Sequence, residues 1–456
     1  MTSSAASFPA ASSKEREAKL LEIGTGLVKA GGADEIEVVF IEGRSYLTRF
    51  SRNHIHQNVG TEEIAAIIRV VVAKRLGVAT ASSLAPEALS GARDEAVAIA
   101  RASDPVDDWP GLPPPRPVAP IDAYDAATAE ASAEVRAQMA GAIILAARSK
   151  RGEAAGAVEV EEGTLAIAGS TGVAVAGSHT RAEVHTVVTC GDGSGYAEGL
   201  SSRVGDVDAR AIGRRAARKA AESREPRAVE PGRYDVILEP SATGEWLEFL
   251  SYIAFSGKNF DEGRSPFSGR LGQRVTGEAV TVWDAPRDPR TIAHAFDYEG
   301  MPADRLTLIQ RGVAKAVATN YYRARRMGKR RSTGHGLPAS TSYECLPLHL
   351  FMKGGDSSLE RMIRETKRGL LITRFHYTNI LDPLKTVLTG MTRDGTFLVE
   401  NGQIVGPVRN LRYTENVLEA FGRIDGLSRR LTLVKGPCVV PALRIREVQF
   451  TGATEF

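Results

Sequence analysis

The chain has 456 residues, 43% of them hydrophobic and 25% charged, with a formal net charge of +3. That length supports several domains, near-neutrality gives no whole-protein argument for nucleic acid, and no apolar run approaches the roughly 20 residues that span a bilayer. Three cysteines occur, Cys190, Cys345 and Cys438, far apart and without C-x-x-C spacing; this excludes a cysteine-rich zinc module and fits a reducing, cytoplasmic compartment.

The opening "MTSSAASFPAASSKEREAKLL" lacks a basic region followed by an apolar one, so it reads as a frayed tail over 1–13 and not as a signal peptide. An amphipathic helix is predicted over 14–31, ending at Gly31-Gly32. Strand-like runs follow, "EIEVVFIEG", "SYLTRFSRNHIHQNVG" and "IAAIIRVVVAKRLGVATASS". Pro86 then opens a second helix in the first-turn position that proline tolerates. The stretch "DPVDDWPGLPPPRPVAPID" is too dense in proline for helix or sheet and reads as an extended strap over 104–122.

A helix is predicted again over 124–151, followed by "AVEVEEGTLAIAG", "TGVAVAGSHTRAEVHTVVTCGDG" and "SGYAEGLSSRVGDVDARAIGRRAARKAAES". The pieces "LGVATASSLAPEAL" and "SGYAEGLSSRVGDVDA" share a plan of glycine, short strand, serine pair and helix start. Two similar helix/antiparallel-sheet units are expected, over 14–103 and 123–229. From 230 to 456 the chain reads as a large β-rich C-terminal domain, the whole being α+β. That domain starts with the strand "YDVILEP" and an apolar helix that Ser241 and Thr243 are available to cap. Further helices are expected near "SSLERMIRETKRG" and "TENVLEAFGRI".

Chemistry is sparse. No G-x-S-x-G elbow or G-x-x-x-x-G-K-[ST] phosphate loop is present, and "GDGSGYAEG" and "KGGDSS" read as turns. His54 and His56, two apart in a strand, share a face, but zinc needs three or four convergent ligands and no acidic or sulfur ligand lies near them. None of the eight histidines is followed by Glu, so no helix carries a pair of histidines with a neighbouring general base. His376, among Arg374, Tyr377, Thr378 and Asn379, is the histidine with the most polar neighbours. Basic clusters at Arg210, Arg214, Arg218 and Lys219, and at Arg323, Arg325, Arg326, Lys329, Arg330 and Arg331, read as solvated faces or a protein interface ahead of a nucleic-acid footprint.

Four stretches in this order resemble the TldD/PmbA family: "LTRFSRNHIHQNV"; "SPFSGRLGQRV" with "FDYEGMP"; "YYRARRMGKRRSTGHG"; and "IRETKRGLLITRFHYTN" through "TRDGTFLVENGQIVGPVRN". The resemblance implies a metallopeptidase assembled from two related subunits, of which the active one carries a His-Glu-x-x-x-His helix and a cysteine as zinc ligands. Here the corresponding helix, "SATGEWLEFLSYIAF", holds no histidine and places Glu245, Glu248, Phe249 and Ile253 near the expected positions. Cys438 lies near the family's C-terminal cysteine but is assigned no metal. The chain thus resembles the TldE/PmbA-like subunit: no catalytic residue and no cofactor of its own, and zinc in a His-Glu-x-x-x-His partner. The implied assembly is a heterodimer or higher heteromer acting on unfolded peptides, with Arg374, His376, Tyr377 and Asn379 as candidate peptide contacts. Two rival readings are a binding regulator of the gyrase-modulator type and a self-sufficient peptidase in which His54, His56 and His376 meet in space.

Overall fold

A computed structural model describes residues 12–453; the N-terminal tail expected over 1–13 therefore falls almost wholly outside the described residues. The first unit is α1 (Ser13–Lys29), β1 (Glu35–Ser51), β2 (His54–Val72), β3 (Arg75–Ala81) and α2 (Pro86–Ala102). Helix α1 starts on a capping box, in which Ser12 accepts from the Glu15 amide and Glu15 accepts from that of Ser12. The strap between the units carries no strand or helix, and Trp109 Nε1 pins it by donating to Glu35 at 2.8 Å.

The second unit repeats the order after a short α3 (Ala126–Ala129): α4 (Ala133–Ser149), β4 (Glu153–Gly169), β5 (Ala174–Cys190), β6 (Gly193–Ser201) and α5 (Ala209–Glu222). The helix expected from 124 is broken, because Ser132 caps a fresh start by accepting from the Val135 amide. The stretch read as a turn at "GDGSGYAEG" is a turn only at Gly191-Asp192; the rest is β6.

The strands of both units form one antiparallel sheet, in the order β3-β2-β1-β4-β5-β6. β1 and β4 meet at its centre with Gly43 opposite Gly163. Each unit lays two helices on one face and buries its own apolar cluster there. Glycine on the third strand permits this: a Cβ at Gly77 would lie 1.9 Å from the Ala96 carbonyl of α2, and one at Gly195 2.3 Å from the Ala216 carbonyl of α5. The "glycine, short strand" plan repeated in the sequence is thus a helix-packing device.

The C-terminal domain begins with β7 (Gly232–Leu238), α6 (Pro240–Ile253) and α7 (Gly257–Asp261). Short strands β8 (Val282–Asp284), β9 (Leu306–Gln310) and β10 (Val313–Ala314) lead to α8 (Tyr321–Arg326), β11 (Leu350–Met352) and α9 (Leu359–Glu365). Then come β12 (Arg368–Asp382), β13 (Val387–Glu400), β14 (Gln403–Pro407), β15 (Leu411–Asn416), α10 (Val417–Gly422), β16 (Ile424–Val434) and β17 (Cys438–Ala453). Strands β7, β12, β13, β15 and β17 pair in a closed circuit, since β17 also hydrogen-bonds β7. α6 packs on β12 and β17, and its Trp246 stacks on Phe375 at 5.1 Å with Tyr413 and Phe421 around it. The face of the N-terminal sheet that the helices leave uncovered meets the C-terminal domain through Leu165 and Ile167 packing with Phe296 and Met301. Among the described residues no helix is long and apolar enough to cross a membrane.

Candidate functional site

A cavity of about 540 Å³ lies between the two regions. One wall is α6, presenting Glu248, Ser251 and Tyr252, with the turn Lys435–Pro437 beside it. Burial is what places α6 there. Its apolar face, Trp246, Leu247, Leu250 and Ile253, goes into the core, with Phe249 packed against that core's edge, and the opposite side is left toward the cavity. The helix begins on Pro240, with Glu239 in the capping position and no side-chain cap. Ser241 instead donates to Glu198 at 2.6 Å, and Thr243 is buried without a partner, so neither is the cap their spacing suggested. The adjoining turn approaches closely: a Cβ at Gly436 would meet the Glu248 carboxylate at 2.5 Å.

The opposite wall is lined by imidazoles. His179 comes from β5, while His294, His335 and His349 come from the irregular segments between strands. The His179 and His294 ring centroids are 4.7 Å apart, and those of His294 and His349 5.2 Å. Buried Asp284 organises one end, accepting from the His349 amide at 2.7 Å and facing His335 Nε2 at 2.9 Å. Burial, reinforced by Arg181 and His349, holds His179 down at about 4. Burial and its two histidine neighbours hold His294 well below the ordinary range, and burial lowers His349 despite Asp284. These three rings are neutral at physiological pH.

Two models of one family match this chain: the PmbA/TldA metallopeptidase C-terminal domain over residues 231–452, and PmbA/TldA metallopeptidase domain 1 over 36–100. Between them they take in more than half of the sequence. The chain belongs to the PmbA/TldD family.

Similar proteins of this family include a metalloprotease of Methanothermobacter thermautotrophicus, 25% identical over 61% of this chain and 62% of the relative. That match spans less than two thirds of the relative's length. The metalloprotease PmbA of Escherichia coli O157:H7 is 24% identical over 94% of this chain and 97% of its own. The crystal structure of TldE from Thermococcus kodakarensis superposes with a TM-score of 0.85 at 23% identity, covering 97% of this chain and all of that one, which establishes the fold.

Membership of a metallopeptidase family raises the question of zinc, and α6 is where the PmbA/TldD resemblance puts it. The donors present do not fit. Glu245 accepts from Thr378 Oγ1, which also bonds Tyr413 at 2.9 Å. Burial pushes the Glu245 carboxyl up to about 7 and raises Glu248 as well. Cys438 is fully buried, its thiol held against the Gly436 carbonyl at 3.2 Å and pushed far up by burial and then by Glu248. Zinc takes deprotonated ligands, and thiolate or imidazole above all; α6 offers two reluctant carboxyls, a phenyl ring at Phe249 and an alkyl chain at Ile253. Among the described residues no three His, Cys, Asp or Glu side chains converge as a metal site.

The other residues singled out in the sequence lie elsewhere. His54 and His56 are exposed where β2 leaves its hairpin turn, and they form no ligand set with His376 of β12. β12 is bulged between His376 and Asn379, and this stretch lies within the strand. Arg374 donates to Asp394 at 2.7 Å and covers the Tyr196 ring at 4.2 Å. Tyr377 is 70% exposed, and Asn379 donates to its carbonyl at 3.0 Å. None of Arg374, His376, Tyr377 and Asn379 lines the cavity. The basic clusters are only partly solvated faces. Lys219 is buried, bonding Glu239 and, at 2.7 Å, Thr373; Arg323 is buried among Asp261, Glu262 and Glu344. Arg326 is paired with Asp261 and Asp108. The facing histidines were missed because they lie far apart in sequence and share no spacing; only their count, half of the eight in the chain, was a signal.

Proposed function

We propose that this chain is the non-catalytic, TldE/PmbA-like subunit of a heteromeric metallopeptidase whose zinc is held by a His-Glu-x-x-x-His partner. The observation that carries the reading is the α6 wall of the cavity, which supplies no zinc donor set. It offers two half-buried carboxyls and a buried thiol, all with raised pKa values, where zinc hydrolysis needs imidazoles and a general base. The chain's part is to wall the chamber and hold unfolded or extended peptide. Beyond Ile372 the outer edge of β12 pairs with no strand among the described residues, since β7 pairs only as far as Leu238. Tyr377 and Asn379 are exposed along that edge, available to an added strand. The partner, the peptide and a cytoplasmic setting are part of this proposal.

The test is zinc content by elemental analysis and hydrolysis of an unfolded peptide, for the chain alone and co-expressed with a His-Glu-x-x-x-His homologue. The lone chain is expected to be inert and zinc-free, and the co-purifying pair to hold zinc and cleave. Stoichiometric zinc and cleavage by the lone chain would overturn the assignment.

A further inference from the structure

The cavity beside α6 does not end at its histidine wall. A second space of about 870 Å³ runs along the uncovered face of the N-terminal sheet, and a third of about 520 Å³ reaches the strap and α1. Leu165, His179 and His294 line all three, so they mark a junction. The floor of the second space includes the facing Gly43 and Gly163. A Cβ at Gly43 would meet nothing nearer than 3.7 Å, whereas one at Gly163 would strike the His179 ring at 2.5 Å. The ring thus lies flat over bare backbone.

No side-chain hydrogen bond of His179 or His294 to protein is found among the described residues, and both residues are only half-buried, so their rings open on the joined cavities. Clustered polar groups that no protein atom answers and that face a cavity are the ones to examine for a ligand. Each neutral imidazole offers one donor and one acceptor, the same complement as a peptide unit. The basic side chains lining these spaces are committed: Arg181 to Glu161 at 3.2 Å and to Glu183, Lys435 to Glu183 at 3.2 Å, Arg44 to Glu162 at 3.0 Å and Lys14 to Glu17 at 2.8 Å. With Glu42, Glu62 and Glu63 also on the walls, nothing at the junction would compensate the desolvation of an anionic ligand.

We infer that this junction is a peptide-binding site, separate from β12, which takes an extended segment free of acidic side chains, with its backbone amides against His179 and His294 and its apolar side chains against Leu165 and Phe296. The ligand class rests on the peptide-handling role proposed above; the site itself rests on the partnerless rings and the joined cavities.

The experiment uses the full chain alone, without zinc or partner. The probe is a short fluorescein-labelled peptide of Leu, Ser, Thr and Gln with blocked termini, alongside one with N-methylated backbone amides and one rich in Glu. The chain is expected to bind the first saturably and the other two more weakly. Leu165→Trp, which fills the junction, should cost about tenfold or more in affinity. The double variant His179→Leu with His294→Leu should weaken the plain peptide severalfold and leave the N-methylated one unchanged, because only the former loses hydrogen bonds. Far-UV circular dichroism and a melting curve establish that each variant is folded. Absence of saturable binding, or Leu165→Trp binding as well as wild type, would overturn the site. Binding here with no hydrolysis by the co-expressed pair would sink the subunit assignment and not this site; hydrolysis without binding here would do the reverse.

Discussion

On one side of the cleft α6 carries Glu248 toward the cavity and Glu245 toward β12; on the other, His179, His294 and His349 arrive from separate segments. Burial raises the carboxyls and lowers the imidazoles, so the cleft disfavours the charged form of the acids on one wall and of the bases on the other. The contrast lies in how the polar atoms are satisfied. Glu245 is held within a chain of hydroxyls through Thr378 and Tyr413, whereas His179 and His294 are left open to the cavity. Thr243 Oγ1 and Trp246 Nε1 of α6 lack partners too, but they are sealed in the core; polar groups that are unanswered and open on a cavity are the ones to test for ligands.

Removing the anchor of the structural wall should have the largest effect. Trp246 is fully buried and stacked on Phe375, with Tyr413 and Phe421 beside it. Trp246→Ala is expected to cost about 3–5 kcal/mol of stability, read as a lowered denaturation midpoint. A conservative His349→Gln on the facing wall should cost far less. Equal losses would mean that the two walls are equally structural.

Next in size is Glu245→Gln. The folded carboxyl titrates near 7, above the ordinary 4.5, so the native state keeps a proton that the unfolded chain has released. Stability from this group therefore falls as pH rises from about 4.5 to about 7, and stays low above that. Glutamine keeps an acceptor for Thr378 and cannot ionise. The variant should be more stable than wild type by roughly 1–3 kcal/mol at pH 8 and nearly equal to it at pH 4.5. Melting curves at the two pH values decide it, and a variant that is destabilised at pH 8 would show Glu245 to be a wanted charge.

The two walls also differed in how far the sequence disclosed them. α6 was readable because one contiguous segment carried its apolar period, its preceding strand and its missing histidines. The α+β order and the repeated glycine-strand-helix plan were readable for the same reason. The fusion of both units into one sheet was not, since the β1–β4 register joins residues more than a hundred positions apart. His294 and His349 lie in segments with no periodicity, and their meeting with His179 is set by the docking of the C-terminal domain on the open sheet face. Lys219 and Arg323 were misjudged because burial of a cation depends on carboxylates brought in from elsewhere in the chain: Glu239 for one, and Asp261, Glu262 and Glu344 for the other.

The smallest effect expected is the mirror of the Glu245 experiment. His179 titrates near 4 in the fold and near 6.5 when free, so the unfolded chain takes up the proton first. Its contribution is complete above about 6.5 and is lost as pH falls toward 4. The groups facing it are Arg181 on its own strand, the imidazoles of His294 and His349, and Glu161, which Arg181 already holds. Leucine fills the same enclosed space and cannot charge. His179→Leu should change stability little at pH 7.5 and relieve roughly 1–2 kcal/mol of the acid-side loss at pH 5. Glu245→Gln should leave that limb as steep as before or steeper, because it removes a slope that runs the other way. If both variants flatten the same limb, the cleft titrates as a single unit and the division into a sealed wall and an open wall fails.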